Sequence, residues 1–330
     1  MVREGGGDPA AGPSGVGLAV TAPPQSTAWV GAARKAPSHW RHNLVGLLLA
    51  SPPFLLMLLL IVVPTVQAFL YSVGQVPTDN IVFKADIDLV SSATLTFLVY
   101  SRLLASVFIQ ADLQLTLFVT FVSVFLVLLI GYVLSLYVRF AKGRLPAIVR
   151  MLYLIPLFIP VVIASYALIE FYVSNGFLQV ILEHLGIHRY ASPIYAPAGI
   201  IVGQIWVSIP FAVLLIGSGL DGVPPELIEA AQDVGASFPS ILWRIVTPLV
   251  AVPLLIVATF TFIGVLGSYT IPYLLGPNAP QMLGVAMQAY NGSYQRPQPA
   301  VAMAVMTFVL AAVAGAIYVW GTSRTDRTAV

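Results

Sequence analysis

The chain has 330 residues, no cysteine and a formal net charge of +2, with 58% hydrophobic and only 8% charged residues. Water-soluble domains carry about a quarter charged residues, so a soluble globular fold is excluded and the composition is that of a membrane protein. The lack of Cys rules out disulfides, thiolate nucleophiles and Cys-ligated metals. The small basic excess leaves no electrostatic footprint for nucleic acid.

Residues 1–43 are rich in Gly, Pro, Ala and Ser, and Pro9, Pro13, Pro23, Pro24 and Pro37 interrupt any helical pattern. This stretch is expected to be a disordered cytoplasmic tail. It does not read as a signal peptide, because the first apolar run starts too far in and is too long. A helix needs about 20 apolar residues to cross a bilayer. Six runs qualify: 44–70, 113–138, 147–173, 197–220, 249–275 and 300–320. They are continuously apolar, unlike the alternating strands of a barrel, so the expected fold class is an all-α membrane protein of six transmembrane helices. The first span is followed by an extracytoplasmic segment, 71–112, and spans two to six form a core over 113–320. A short cytoplasmic tail, 321–330, ends the chain.

Within 71–112, the stretch 95–110 is apolar but carries Arg102. As a seventh span it would leave too tight a connector to the next helix, so it is read as an interfacial or partly re-entrant helix. The distribution of Lys and Arg supports six spans. With the N-terminus inside, eleven of the 15 fall on the cytoplasmic side, including the cluster Arg139, Lys142, Arg144 and Arg150; Lys84, Arg102, Arg189 and Arg296 fall outside. Prolines recur within spans, among them Pro156, Pro160, Pro210, Pro253 and Pro272. They kink helices, either as ordinary packing or around a pathway.

The loop 221–248 joins spans four and five. Pro224 and Pro225 suit a helix start, and Glu226 and Glu229 lie near its positive end. Leu227, Ile228 and Ala231 are expected on one face, and Gly235 suits the stop. A second short helix, 239–246, leads into span five. A short amphipathic helix of this kind fits either a partner's groove or the membrane surface.

The spacing Glu229-Ala230-Ala231, then Gly235, then Ile245-Val246-Thr247-Pro248 resembles the signature loop of binding-protein-dependent ABC importer permeases, with Thr247 where the family pattern usually has Leu. Leu154-Ile155-Pro156-Leu157-Phe158-Ile159-Pro160 and Ile205-Trp206…Ile209-Pro210-Phe211 resemble the third and fourth spans of that family, and Leu115-Thr116-Leu117 the start of its core. The resemblance implies a MetI-like type I permease in the bacterial inner membrane, with both termini cytoplasmic. It implies three partners: a cytoplasmic ATPase subunit, a second permease subunit or copy, and an extracytoplasmic substrate-binding protein. By resemblance Glu229, Ala230, Ala231 and Gly235 belong to the coupling site; Leu227 and Ile228 are expected to add apolar contact there or else to face lipid headgroups, and Glu226 and Ala236 complete the expected site. No cofactor is expected, and ATP is bound by the partner, since the chain lacks a phosphate-binding Gly-x-x-x-x-Gly-Lys-Ser/Thr loop. The chain itself is therefore not expected to be an enzyme.

Gly267-Ser268-Tyr269-Thr270-Ile271-Pro272-Tyr273-Leu274-Leu275-Gly276-Pro277 looks like the polyamine (spermidine/putrescine) branch of the family, with iron and thiamine permeases near it. Glu170 is the acidic residue well inside a span, and an intramembrane carboxylate is a functional candidate; a hydrated, snorkelling Glu is the plainer reading. Glu170, Trp206, Ser268 and Tyr269 are the candidate pathway residues, with Gln204, Ser208 and Thr270 as further polar candidates. The competing readings are the same machine with another cargo, such as a sugar, glycerol phosphate, thiamine or iron, and a stand-alone secondary transporter.

Overall fold

The computed structural model describes residues 39–76, 86, 89–92 and 94–328. Most of the expected tail at 1–43 therefore lies outside the described residues, as do Arg3, Arg34, Lys35 and Lys84. Every element among the described residues is helical, as continuous apolar runs require where the backbone finds no water to bond. The chain divides at Leu56/Met57 into two units. The first holds most of α1 (His39–Met57), a helix that begins inside the stretch expected to be a tail.

From Met57 onward the order is a π-helical turn (Leu58–Val62), α2 (Val63–Ser72), α3 (Leu98–Ala105), α4 (Val107–Phe140), α5 (Leu145–Leu154), a 3-10 turn (Ile155–Phe158), α6 (Val161–Tyr172), α7 (Phe177–His184) and α8 (Pro197–Asp221). Then come α9 (Pro225–Asp233), α10 (Phe238–Ile241), a π-helical turn (Leu242–Val246), α11 (Thr247–Leu249), α12 (Ala251–Leu266), α13 (Thr270–Leu275), α14 (Leu283–Gln288), a third π-helical turn (Ala289–Ser293) and α15 (Pro297–Thr328). By length and apolarity Leu48–Ser72, Val107–Phe140, Val161–His184, Pro197–Asp221 and Pro297–Thr322 can each cross a bilayer, and Phe238–Leu249 with Ala251–Leu266, bent by 68°, makes a sixth.

Four boundaries differ from the sequence expectation, each for a local reason. The stretch 95–110 is not one helix: Ser106 is extended (ψ 120°), which isolates α3 and starts α4 at Val107 rather than 113. Eight residues of α3 rise only about 12 Å, well short of the bilayer core. The run 147–173 is broken, because prolines offer no N–H and push the residue before them out of the helical region. Ile159 is extended (ψ 120°) ahead of Pro160, and Pro156 sits in the 3-10 turn. The run 249–275 bends at Val250 and stops at Gly267 before resuming as α13. At the C-terminus α15 continues to Thr328, through residues expected as a tail.

The core of the second unit is the pair α4 and α8. Gly131 faces Ala212 so closely that an added Cβ would stand 3.0 Å from the Ala212 Cβ. Ser135 shares its hydroxyl between the Gly131 and Val213 carbonyls, at 2.7 and 3.2 Å. Small residues let two backbones approach this way in lipid. Around them Val127, Ile216, Leu220 and Val257 are buried, while Phe118, Phe121, Phe125 and Leu129 on α4 are exposed, as expected of side chains that face acyl chains.

A second tie joins distant parts of the chain. Gln298, fully buried at the start of α15, donates to the Tyr71 and Val90 carbonyls (2.9 Å each) and accepts from the Val90 N–H (2.8 Å). Its own N–H donates to Asp86 (2.8 Å). Similarly, Asp112 accepts from the Gln281 N–H (2.8 Å) and Thr116 from the Leu283 N–H (2.9 Å), which fastens the loop before α14 to α4.

Candidate functional site

The loop between α8 and α12 is built from its punctuation. Pro224 is extended (ψ 128°) and Pro225 opens α9, with Glu226 in the first turn. Gly235 ends the segment at φ +82°, a left-handed conformation that costs a residue with a Cβ about 1–2 kcal/mol. The Gly235 N–H donates to the Gln232 carbonyl (2.8 Å) and the Ala236 N–H to the Ala231 carbonyl (3.0 Å). These two bonds form a Schellman cap that satisfies the last carbonyls of the helix.

The nine residues of α9 present two apolar surfaces. Ile228 and Ala231 face inward and, with Ala236, Leu242 and Ile245, pack on buried Val223, Ile241, Val246 and Val250. Leu227, expected with them, instead turns outward. It shares the i, i+3, i+7 row with Ala230 and Val234, and Val234 is 83% exposed. Glu226, Glu229, Gln232 and Asp233 are exposed around this row. Of the expected coupling residues, then, Ile228, Ala231 and Ala236 hold the helix in place, Gly235 turns the chain, and Glu226, Leu227, Glu229 and Ala230 are presented outward.

The loop is fastened to the ends of the spans. Phe238 packs edge-on against Phe140 at the end of α4 (5.7 Å between centroids). Thr247 gives its hydroxyl hydrogen to the Leu242 carbonyl (2.8 Å) and so accepts from the Tyr132 hydroxyl of α4 (2.7 Å). A leucine at 247 has no oxygen to receive that bond. Tyr132→Phe is expected to lower stability by about 1 kcal/mol, the worth of one such hydrogen bond. The check is thermal unfolding of the purified chain, and an unchanged midpoint would refute the link.

A cavity of about 470 Å³ opens between α8, α12 and the break before α13. Gln204, Ser208, Thr261, Ser268, Tyr269 and Thr270 supply its polar lining, and no charged residue among the described residues lines it. Gln204 is only 4% exposed and its Nε2 has no hydrogen-bond partner among the described residues. A buried amide donor left unmade is costly, so it stands ready for a polar group in the cavity. Tyr269 stacks on Tyr273 with centroids 5.3 Å apart.

The structure thus brings together Ser268 and Tyr269 of the expected pathway residues, with Gln204, Ser208 and Thr270. Trp206 lines a different cavity, beside Pro156 and Tyr172, and Glu170 is exposed on α6 and lines neither. Thr261 was missed; Thr259 and Thr261 both interrupt the apolar run, and only the structure shows that Thr259 bonds back to the Leu255 carbonyl while Thr261 lines the cavity. Asp112 was also passed over, as a residue flanking a span. It is buried within α4 and borders an 870 Å³ cavity with Gln281, Tyr290, Tyr294 and Arg296. Burial pushes the Tyr290 hydroxyl above its ordinary range, so it stays neutral there.

A lipid-facing helical bundle with broken spans around an uncharged polar cavity, and a short helix seated on its end, defines a membrane transport permease. Residues 128–327 match the family described as binding-protein-dependent transport system inner membrane component, and the chain belongs to that family. It is 27% identical over 283 residues to the trehalose/maltose transport system permease protein MalF of Thermococcus litoralis, covering 82% of this chain and 91% of that protein. It is 24% identical over 188 residues to the spermidine/putrescine permease PotB of Escherichia coli, covering 56% of this chain and 67% of that protein. It is 24% identical over 187 residues to the E. coli inner membrane ABC transporter permease YdcU, covering 53% of this chain and only 59% of that protein's length. A bacterial ABC transporter involved in the import of alginate shares the fold, with a TM-score of 0.65 at 17% identity over 88% of this chain and 97% of that chain.

Proposed function

We propose that the chain is the membrane subunit of an ATP-driven importer that lends its pathway to a small hydrophilic solute and takes its energy from a separate ATPase. The observation that carries this is α9, a helix clamped on one side by Ile228 and Ala231 while Leu227, Ala230 and Val234 stand exposed on the other. A rigid apolar row rimmed by Glu226 and Glu229 suits a groove in a partner. In this reading the end bearing α9 and the Arg139–Arg150 cluster faces the cytoplasm with both termini, the chain pairs with a second permease or a copy of itself, and a substrate-binding protein docks at the other face. The chain itself catalyses no reaction. Co-purification from membranes is the test: an ATPase subunit should accompany the wild type. Glu229→Lys should weaken that association severalfold, as expected for a charge reversal at the edge of an interface. Full coupled transport by Glu229→Lys would count against the docking.

For the cargo, the stretch from Gly267 to Pro277 and the PotB relative support a polyamine. A second reading, a neutral sugar, is favoured by the uncharged lining of the Gln204 cavity and by the longer match to MalF. Uptake of labelled spermidine and of labelled trehalose by cells expressing the full system separates them. In either case Gln204→Leu, which removes a donor aimed at the cargo, is expected to slow uptake about tenfold while the ATPase stays bound. Unchanged uptake would remove Gln204 from the pathway.

A further inference from the structure

Where α4, α5 and α8 meet near the loop-bearing end, a cavity of about 410 Å³ is lined by Arg139, Arg150, Tyr153, Ser218 and Asp221. Neither cargo nor coupling accounts for it. Its charge is unbalanced: two guanidinium groups face one carboxylate. Arg139 reaches Asp221 only at 3.6 Å, and Asp221 is 72% exposed, so this pair is weak. No carboxylate lies within ion-pair distance of Arg150 among the described residues. Lys142 and Arg144 stand in the adjacent turn and add to the positive field.

The surroundings specify the anion. The cavity sits at the ends of two spans, Val107–Phe140 and Pro197–Asp221, where the hydrocarbon gives way to water. Its rim is partly apolar: Val138 on α4, Leu154 on the helix that carries Arg150, and Val213 and Leu214 on α8 line it, and Leu214 is exposed. A soluble anion has no use for such a rim, whereas acyl chains do. Guanidinium groups bind phosphate oxygens in pairs, and basic pockets between spans on the cytoplasmic side hold anionic headgroups.

We propose that this cavity binds the phosphate of an anionic phospholipid of the inner leaflet, with Arg150 as the primary contact, Arg139 swinging from Asp221 to join it, and Tyr153 and Ser218 as hydroxyl donors. The side of the membrane rests on the orientation proposed above; the binding itself does not. The test is native mass spectrometry of the full chain in a non-ionic detergent, titrated with phosphatidylglycerol, phosphatidylcholine or inorganic phosphate. Phosphatidylglycerol should be retained over phosphatidylcholine. Arg150→Gln should cut that preference about fivefold, the worth of one basic residue at an anionic headgroup, and Asp221→Asn should raise it. Since Arg150 is exposed and makes no ion pair among the described residues, its variant should fold normally. An unchanged preference in both Arg150→Gln and Arg139→Gln would overturn the proposal, as would displacement of the lipid by inorganic phosphate at equal concentration. A preference lost in Arg150→Gln, in a chain whose wild type brings down no ATPase, would support this site and remove only the coupling reading.

Discussion

Gly235→Val is expected to release the ATPase subunit and to halt uptake, with the bundle left intact. Gly235 stands at φ +82° with open space where a Cβ would go, so the obstacle is conformational and no neighbour is struck. Adopting that angle costs a β-branched residue about 2 kcal/mol or more. The segment can avoid the cost only by giving up the Schellman cap, and with it the bonds from Gly235 and Ala236 to the last turn of α9. Val234, on the exposed row, then loses its position. Interface anchors contribute about 2 kcal/mol or more each, which corresponds to at least roughly thirtyfold in affinity. The measurement is co-purification of the ATPase alongside thermal unfolding of the chain alone. Wild-type recovery of the ATPase, or a collapse of the bundle's own stability, would show that the turn does not act through α9.

Gln298→Leu should produce the largest loss of stability of any single change considered, about 3 kcal/mol. Leucine approximates the volume of glutamine but makes none of its three side-chain bonds. The half-buried Val90 N–H and carbonyl would lose their partner and the buried Tyr71 carbonyl would keep only the Gly74 N–H, and each orphaned group costs about 1–3 kcal/mol. Some relaxation toward water near residue 90 sets the lower end. The solubilised chain should inactivate faster on heating than the wild type. A shift no larger than that of an exposed control such as Gln232→Leu would refute the hub.

The loop was legible in the sequence because its signals are local. Proline at the start, glycine at the stop and an apolar row between them fix a short helix without reference to anything else. What the sequence left open was which side of that helix is occupied. Leu227 and Ile228 are adjacent and equally apolar, and only the position of Val223, Ile241 and Val246 decides that Ile228 is inside. The six runs were legible from apolarity, yet their breaks were not placed, because a proline in lipid can kink, widen or interrupt a helix according to its neighbours. The cavity was half visible. Ser268, Tyr269, Gln204, Ser208 and Thr270 stood out as polar residues in apolar runs, but Trp206 and Glu170 drew equal attention and lie elsewhere. Gln298 and Asp112 were invisible as anchors, since their partners lie 208 and 169 residues away.

The near-contact of Gly131 and Ala212 sets limits on motion. Two helices packed with so little room at Gly131 resist sliding or rolling past one another, so α4 and α8 are expected to travel as a single slab. Any rearrangement during a work cycle must then fall at the joints already cut into the chain: the interruption at Ile159 and Pro160, the elbow at Val250 and the gap at Gly267. Two of these three joints flank α12, which carries Phe260 and Thr261, so the wall of the polar cavity is the part of the molecule freest to swing.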